Sequence, residues 1–243
     1  EAAKWLHKAA DHNDPLAAFE LGYMAAAGLG VAQDYKEAAK WYLKSAQEGQ
    51  AEGMFSIGML YSAGNGVKQD YAESAKWYRK AADNGYAPAQ FNLGVLYSKG
   101  QGVKKDDAEA IEWYRRAADK GQVRAQFALG ALYSTGQGVR QNYGLAAQWY
   151  GRAAKQGDRD AQIITGAFYA YGRGVKLDYE QAYFWLTVGL NNPGDGHPDA
   201  KMSDLALATR KEVADHVDSR RLPEIAKRAG EWQPKPEDSK ARQ

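Results

Sequence analysis

The sequence predicts an all-α solenoid of stacked helix-turn-helix pairs, with no sheet. Tryptophan falls at positions 5, 41, 77, 113, 149 and 185, each 36 residues after the last. Glycine pairs fall at 28/30, 64/66, 100/102, 136/138 and 172/174 with the same spacing. A valine follows each pair, at Val31, Val67, Val103, Val139 and Val175. Three registers sharing one period mark a repeat architecture, in which each unit buries its apolar face only against its neighbours.

The second unit illustrates how each element is assigned. Helix A is expected over 51–63, and the turn is Gly64-Asn65-Gly66-Val67-Lys68-Gln69. Helix B runs from Asp70 to about Asn84. Asp70 is a natural N-cap, and Glu73 sits where a negative charge favours the positive helix end. The spacing recurs as Asp34/Glu37, Asp106/Glu109 and Asp178/Gln181, whereas Asn142 and Leu145 leave the fourth unit's box incomplete. Gly49, Gly85, Gly121 and Gly157 stand where helix B needs a left-handed terminator.

On a helical wheel, Gly53, Ile57, Leu60, Tyr61 and Gly64 share one arc of helix A, while Phe55 and Gly58 lie on another flank. Such a helix is buried on two sides. Gly22, Gly58, Gly94, Gly130 and Gly166 recur mid-helix, each costing roughly 1 kcal/mol in helix propensity, which implies close helix–helix approach. In helix B, Ala75, Trp77, Tyr78, Ala81 and Ala82 supply the inward surface. Trp5, Trp41, Trp77, Trp113, Trp149 and Trp185, with the five glycines, are expected to form the structural core of the repeat.

The series Ala89, Leu93, Gly94, Tyr97, Gly100, Gly102, Val103, Asp106, Ala110, Trp113, Tyr114, Ala117, Ala118 and Gly121 resembles the Sel1-like repeat family, relatives of the tetratricopeptide repeats. The resemblance runs from residue 1 to about 190. It implies a right-handed α/α superhelix and a role as an adaptor in assembly, signalling or host contact. Some cysteine-rich members are associated with binding or weak hydrolysis of penicillin-like compounds; this chain has no cysteine. The expected organisation is a trailing helix B of a truncated repeat at 1–14, five repeats over 15–190, a helical cap over 191–233 and a disordered tail at 234–243.

Composition narrows the function. The formal charge is +2, so no strong field favours nucleic acid or an anionic membrane, and no apolar run approaches the ~20 residues of a membrane span. The absence of cysteine removes disulfides, zinc-thiolate sites and a thiol nucleophile. The histidines at 7, 12, 197 and 216 include no i, i+4 pair, and His197 fits a turn between Gly196 and Pro198. The Gly-x-Gly pairs follow helices and lack a third glycine, so they read as turns and not as phosphate cradles. No serine nucleophile signature occurs. No catalytic residue, metal or cofactor is expected. The opening residues already sit inside a helical pattern, so the sequence is expected to be cut from a longer protein, bacterial and periplasmic or exported in preference to cytoplasmic.

Positions shared by the units build the scaffold, so a specific surface must be written where the units differ. The helix-A arc left unused by the core carries Glu20, Tyr23, Glu52, Ser56, Met59, Asn92, Val95, Lys99, Arg124, Thr135, Asp160, Ile164 and Tyr171. By resemblance this stripe lines the concave side. Five layers at roughly 10 Å each would hold an extended peptide of about 15 residues. The expected function is a monomeric scaffold or adaptor for a protein or peptide partner. The alternatives are a module binding peptidoglycan or another envelope glycan, and a weak β-lactamase-like hydrolase. Phe184 occupies a helix-B position that is polar in other units (Lys40, Lys76, Glu112, Gln148), and Tyr183, Leu186 and Val188 add apolar surface. Helices expected near 199–213, with Leu205, Leu207 and Val213, and 219–232, with Leu222, Ile225 and Trp232, would cover it. Pro223 favours a second helix beginning near Leu222. Alternatively, Phe184 and Trp232 line a partner groove.

Overall fold

The computed structural model describes residues 2–194 and 200–237. His197 and residues 238–243 lie outside that set. Helices α1 (Ala2–Asp11), α2 (Pro15–Ala27), α3 (Tyr35–Gln47), α4 (Ala51–Ala63), α5 (Tyr71–Asp83), α6 (Ala87–Lys99) and α7 (Asp107–Asp119) come first. Then follow α8 (Val123–Thr135), α9 (Tyr143–Lys155), α10 (Arg159–Tyr171), α11 (Tyr179–Asn191), α12 (Ala200–Ala214) and α13 (Leu222–Gly230). No strand occurs among the described residues. The helices fall into two compact units, residues 1–117 and 118–243. Within the units, helix A packs on the helix B that follows it: α2 on α3 and α4 on α5 in the first, α8 on α9 and α10 on α11 in the second.

Helix ends are fixed by the residues the repeat supplies. The Asp34 and Asp70 carboxylates each accept hydrogen bonds from the second and third backbone N–H groups of helix B. The glutamate of the box does not reach back. The cap's own N–H already donates to helix A, Asp34 to the Ala25 carbonyl and Asp70 to the Tyr61 carbonyl at 2.9 Å, so Glu37 and Glu73 pair with Lys40 and Lys76 instead. In the turns, the first glycine is a left-handed C-cap. The second is packed onto the preceding unit. A Cβ on Gly66 would stand 2.2 Å from the Tyr35 carbonyl oxygen, and one on Gly102 would stand 2.1 Å from the Tyr71 carbonyl carbon. The turn therefore ties consecutive pairs together.

The deepest recurring contact joins the mid-helix glycine of helix A to a tyrosine of helix B. A Cβ on Gly22, Gly58, Gly94 or Gly130 would lie 2.6 to 2.8 Å from the ring of Tyr42, Tyr78, Tyr114 or Tyr150. Each ring also meets a helix-A phenylalanine, with Phe19–Tyr42, Phe55–Tyr78, Phe91–Tyr114 and Phe127–Tyr150 centroids 5.3 to 5.8 Å apart. The tryptophans contribute less than expected. Trp113 and Trp185 are buried, but Trp5 is 66% exposed, and Trp41, Trp77 and Trp149 are half-buried. Adjacent helical residues point about 100° apart, so only one of each Trp-Tyr pair can face helix A. Tyrosine takes that place. The indole lies toward the outer side, under a cation three residues on: Lys8 over Trp5, Lys44 over Trp41, Lys80 over Trp77, Arg116 over Trp113 and Arg152 over Trp149.

The last repeat departs from this chemistry. Ile163 and Leu186 replace the Phe-Tyr pair, and Ala206 and Met202 of α12 pack against them. Val213, Val217 and Ile225 form a second cluster over Tyr183 and Phe184. Arg228 lies over the Phe184 ring, and Trp232 meets Trp185 edge-on at 5.8 Å. Leu205 and Leu207, read from sequence as cap surface, point to solvent at 66% and 46% exposure, because Ala206 between them takes the inward position. Pro223 sits in the first turn of α13, where its missing N–H costs nothing. The expected disorder of the tail does not describe 234–237. The Lys235 N–H donates to the Lys155 carbonyl at 2.8 Å, and Glu237 pairs with Arg152.

Burial pushes the Tyr42 and Tyr150 phenols up to about 12, from an ordinary value near 10. The unfolded chain therefore loses these protons first as pH rises. Their contribution to stability is complete below about pH 10 and is lost as pH climbs through about 12. Melting temperature should fall steeply across that window, and a Tyr42→Phe, Tyr150→Phe double variant should flatten the fall, as followed by circular dichroism.

Candidate functional site

The helix-A stripe is a surface of mixed character. In the first unit, Tyr23 and Met59 are exposed at 50% and 43%, Lys99 is exposed, and Glu20, Glu52, Asn92 and Val95 are half-buried. Ser56 leaves the stripe. It is buried beside the Tyr42 phenol, because the helix-A position that packs between two helices B is closed off by that ring. Asn92 stands one repeat on, beside the Tyr78 phenol. In the second unit, Arg124, Thr135 and Tyr171 are exposed, and Asp160 and Ile164 are half-buried. Asp160 meets Arg159 at 3.5 Å. The Thr135 hydroxyl bonds its own helix at the Ala131 carbonyl, and Tyr171 donates to Glu212 of α12 at 3.4 Å.

Two concavities lie on the helix-B side, one in each unit. The first, of about 480 Å³, is bounded by α5, α6 and the following turn, with Trp77, Arg79, Leu93 and Tyr97 in its walls. The second, of about 530 Å³, lies among α9, α10 and α11, and its walls include Gly144, Gly151, Arg152, Thr165, Tyr169 and Trp185. From sequence, Trp77 and Trp185 were expected only as repeat core, and Arg79, Gly144, Gly151, Arg152, Thr165 and Tyr169 were not singled out. The signal was available: 72 residues apart, Ala72, Arg79 and Leu93 become Gly144, Gly151 and Thr165.

The tail segment borders the second unit. Arg152 holds both Glu237 oxygens, at 2.8 Å through Nε and 2.7 Å through Nη2, and donates to the Ala118 carbonyl at 2.9 Å. The buried Gln126 amide donates to the same carboxylate at 3.1 Å and to the Ala118 carbonyl. A Cβ on Gly157 would meet the Pro234 ring at 3.0 Å. A proline-bearing segment is thus held by main chain, one bidentate arginine and one amide.

A family model for the Sel1 repeat matches residues 1–14, 15–50, 51–86, 87–122, 123–158 and 159–187. The chain belongs to the Sel1 repeat family. Among solved structures, a Sel1 repeat protein from Oxalobacter formigenes is 32% identical, over 83% of this chain and 88% of that one, with a TM-score of 0.71. The antigen c5321, present in uropathogenic Escherichia coli strains and described as displaying an SLR fold, is 27% identical over 97% of this chain and 68% of that one, with a TM-score of 0.35. The immunity protein Pa5087 from Pseudomonas aeruginosa is 23% identical over 87% and 73%, with a TM-score of 0.48. No curated protein matches the sequence.

Sel1 repeat proteins generally mediate protein–protein interaction, and the scaffold is generally non-enzymatic. Among the described residues, no helix is long and apolar enough to cross a membrane, and no group of three His, Asp or Glu side chains is placed to hold a metal ion. The Sel1 repeats explain the spacing of α2 to α11; the tail lies beyond the matched residues. Glu237→Ala should free it. Hydrogen exchange at the Lys235 amide should accelerate by about tenfold, as expected for loss of a charged hydrogen bond, while exchange in α10 stays unchanged.

Proposed function

We propose that this Sel1 repeat protein is a non-enzymatic adaptor that binds a partner protein or peptide along the helix-A stripe of its repeats. The observation that carries this reading is the contrast within helix A itself. Positions that meet helix B repeat from unit to unit, as Gly22, Gly58, Gly94, Gly130 and Gly166 do. Positions on the outward arc do not: Tyr23, Met59 and Val95 share one register and differ in shape and polarity, and Tyr23 and Met59 are large exposed apolar side chains. Apolar groups set among charges are what protein recognition uses. In the second unit, the same arc offers Arg124, Asp160 and Ile164.

A photo-crosslinking amino acid at Tyr23, Met59 or Arg124, introduced in the native cell, should give one discrete adduct band. The same group at Lys76 on helix B should give none. Arg124→Glu combined with Asp160→Lys should weaken the isolated partner by about tenfold or more, the size expected when charged interface contacts are reversed. Identical adducts from both helices, or unchanged affinity, would refute the helix-A assignment.

A further inference from the structure

We propose that the cavity among α9, α10 and α11 receives the guanidinium of an arginine side chain presented by a partner protein. This site lies on the helix-B side and does not depend on the helix-A stripe. The argument begins in the first unit, where the repeat fills the equivalent slot with its own arginine. The Arg79 guanidinium carbon lies 5.5 Å from the Tyr97 ring centroid and 5.2 Å from that of Trp113, and the group donates a hydrogen bond to the Tyr97 hydroxyl. Two aromatic faces and one phenol oxygen thus hold a planar cation, an arrangement that suits guanidinium better than ammonium.

Seventy-two residues on, the walls remain and the filling side chain is gone. Tyr169 and Trp185 occupy the registers of Tyr97 and Trp113, and both line the cavity of about 530 Å³. Gly151 stands where Arg79 stands, and a Cβ built on it meets nothing within 4 Å. Gly144 replaces Ala72 and widens the same wall.

A second, independent feature points into this space. Thr165 occupies a register that is Leu21, Ile57, Leu93 or Leu129 in the other repeats. It is 6% exposed, it lines the cavity, and its hydroxyl has no hydrogen-bond partner. A buried, unpaired hydroxyl is destabilising, and a hydrophobic residue would serve the core better. The Thr165 and Tyr169 oxygens are the acceptors that a guanidinium placed between Tyr169 and Trp185 would need.

Charge at the rim sets the expected affinity. Arg152 is already matched by Glu237 and lies over Trp149. Gln148 replaces Lys76, which removes one cation relative to the first unit. Lys155 lines the cavity from an exposed position, where the first unit has Asp83. Ring faces and hydroxyls therefore do the holding, and Lys155 weakens it.

The test uses the full chain and a capped Gly-Arg-Gly peptide, read by the Trp185 indole resonance. The arginine peptide should shift that resonance, and its citrulline counterpart, neutral and nearly isosteric, should bind about tenfold more weakly, as loss of a desolvated cation–π contact implies. Gly151→Arg fills the slot from within and should abolish the shift, and Lys155→Asp should tighten binding by several-fold. No shift at peptide concentrations up to about 20 mM, the weak end of specific recognition, would overturn the proposal. So would equal binding of citrulline, or weaker binding by Lys155→Asp. Free arginine binding as tightly as the peptide would overturn the partner assignment. Loss of helix-A crosslinks with this binding intact would bear on the adaptor reading alone.

Discussion

The rest of the structure depends on the approach of a helix-A backbone to the face of a helix-B tyrosine. Gly22, Gly58, Gly94 and Gly130 each admit a phenol ring at a distance that a Cβ would forbid. The cost of a mid-helix glycine, roughly 1 kcal/mol, is offset by burial of a ring that also meets a phenylalanine of the same helix A. The tyrosine hydroxyl can also reach a polar side chain at the edge of the contact, as Tyr114 does with Ser98 at 3.4 Å. Helix spacing follows from this contact, and the turn glycines must then be able to pass over the preceding unit.

Scaffold and specificity are consequently carried by different registers. Where a register touches the glycine–tyrosine contact, it is held. Where it faces solvent or the slot between successive helices B, it drifts, and the chain acquires Tyr23 and Met59 on one side and Gly151 and Thr165 on the other. The last repeat shows how the series stops. Once Leu186 replaces tyrosine and Ile163 replaces phenylalanine, that surface is aliphatic and is met by α12.

Most of the fold was legible because its determinants are local. Aspartate caps, left-handed glycines and a strict period locate α2 to α11 to within a residue or so. The tryptophans misled because periodicity shows that a residue is required without showing where it points; the adjacent tyrosine competes for the inward position and wins. Ser56 was misplaced for the same reason, since a helical wheel does not say which ring of the neighbouring helix closes over it. The order of residues 234–237 was invisible to composition. Pro234, Lys235 and Glu237 read as a polar tail, and the partners that hold them lie on α8, on α9 and in the turn after it, Arg152 being 85 residues away from Glu237. The cavity at Gly151 was visible only by comparing repeats register by register, and Thr165 only as a polar residue in an aliphatic series.

The central claim is that each mid-helix glycine exists to accommodate its tyrosine. Gly130 offers the clearest test, because the three atoms nearest its missing Cβ all belong to the Tyr150 ring, at 2.7 to 2.8 Å. The measurement is a double-mutant cycle by urea denaturation. Gly130→Ala alone should destabilise by about 1–3 kcal/mol, as overpacking does. In a Tyr150→Ala background, the same change should be neutral or stabilising by up to ~1 kcal/mol, the gain in helix propensity. A Gly130→Ala effect of the same sign and size in both backgrounds would contradict the account.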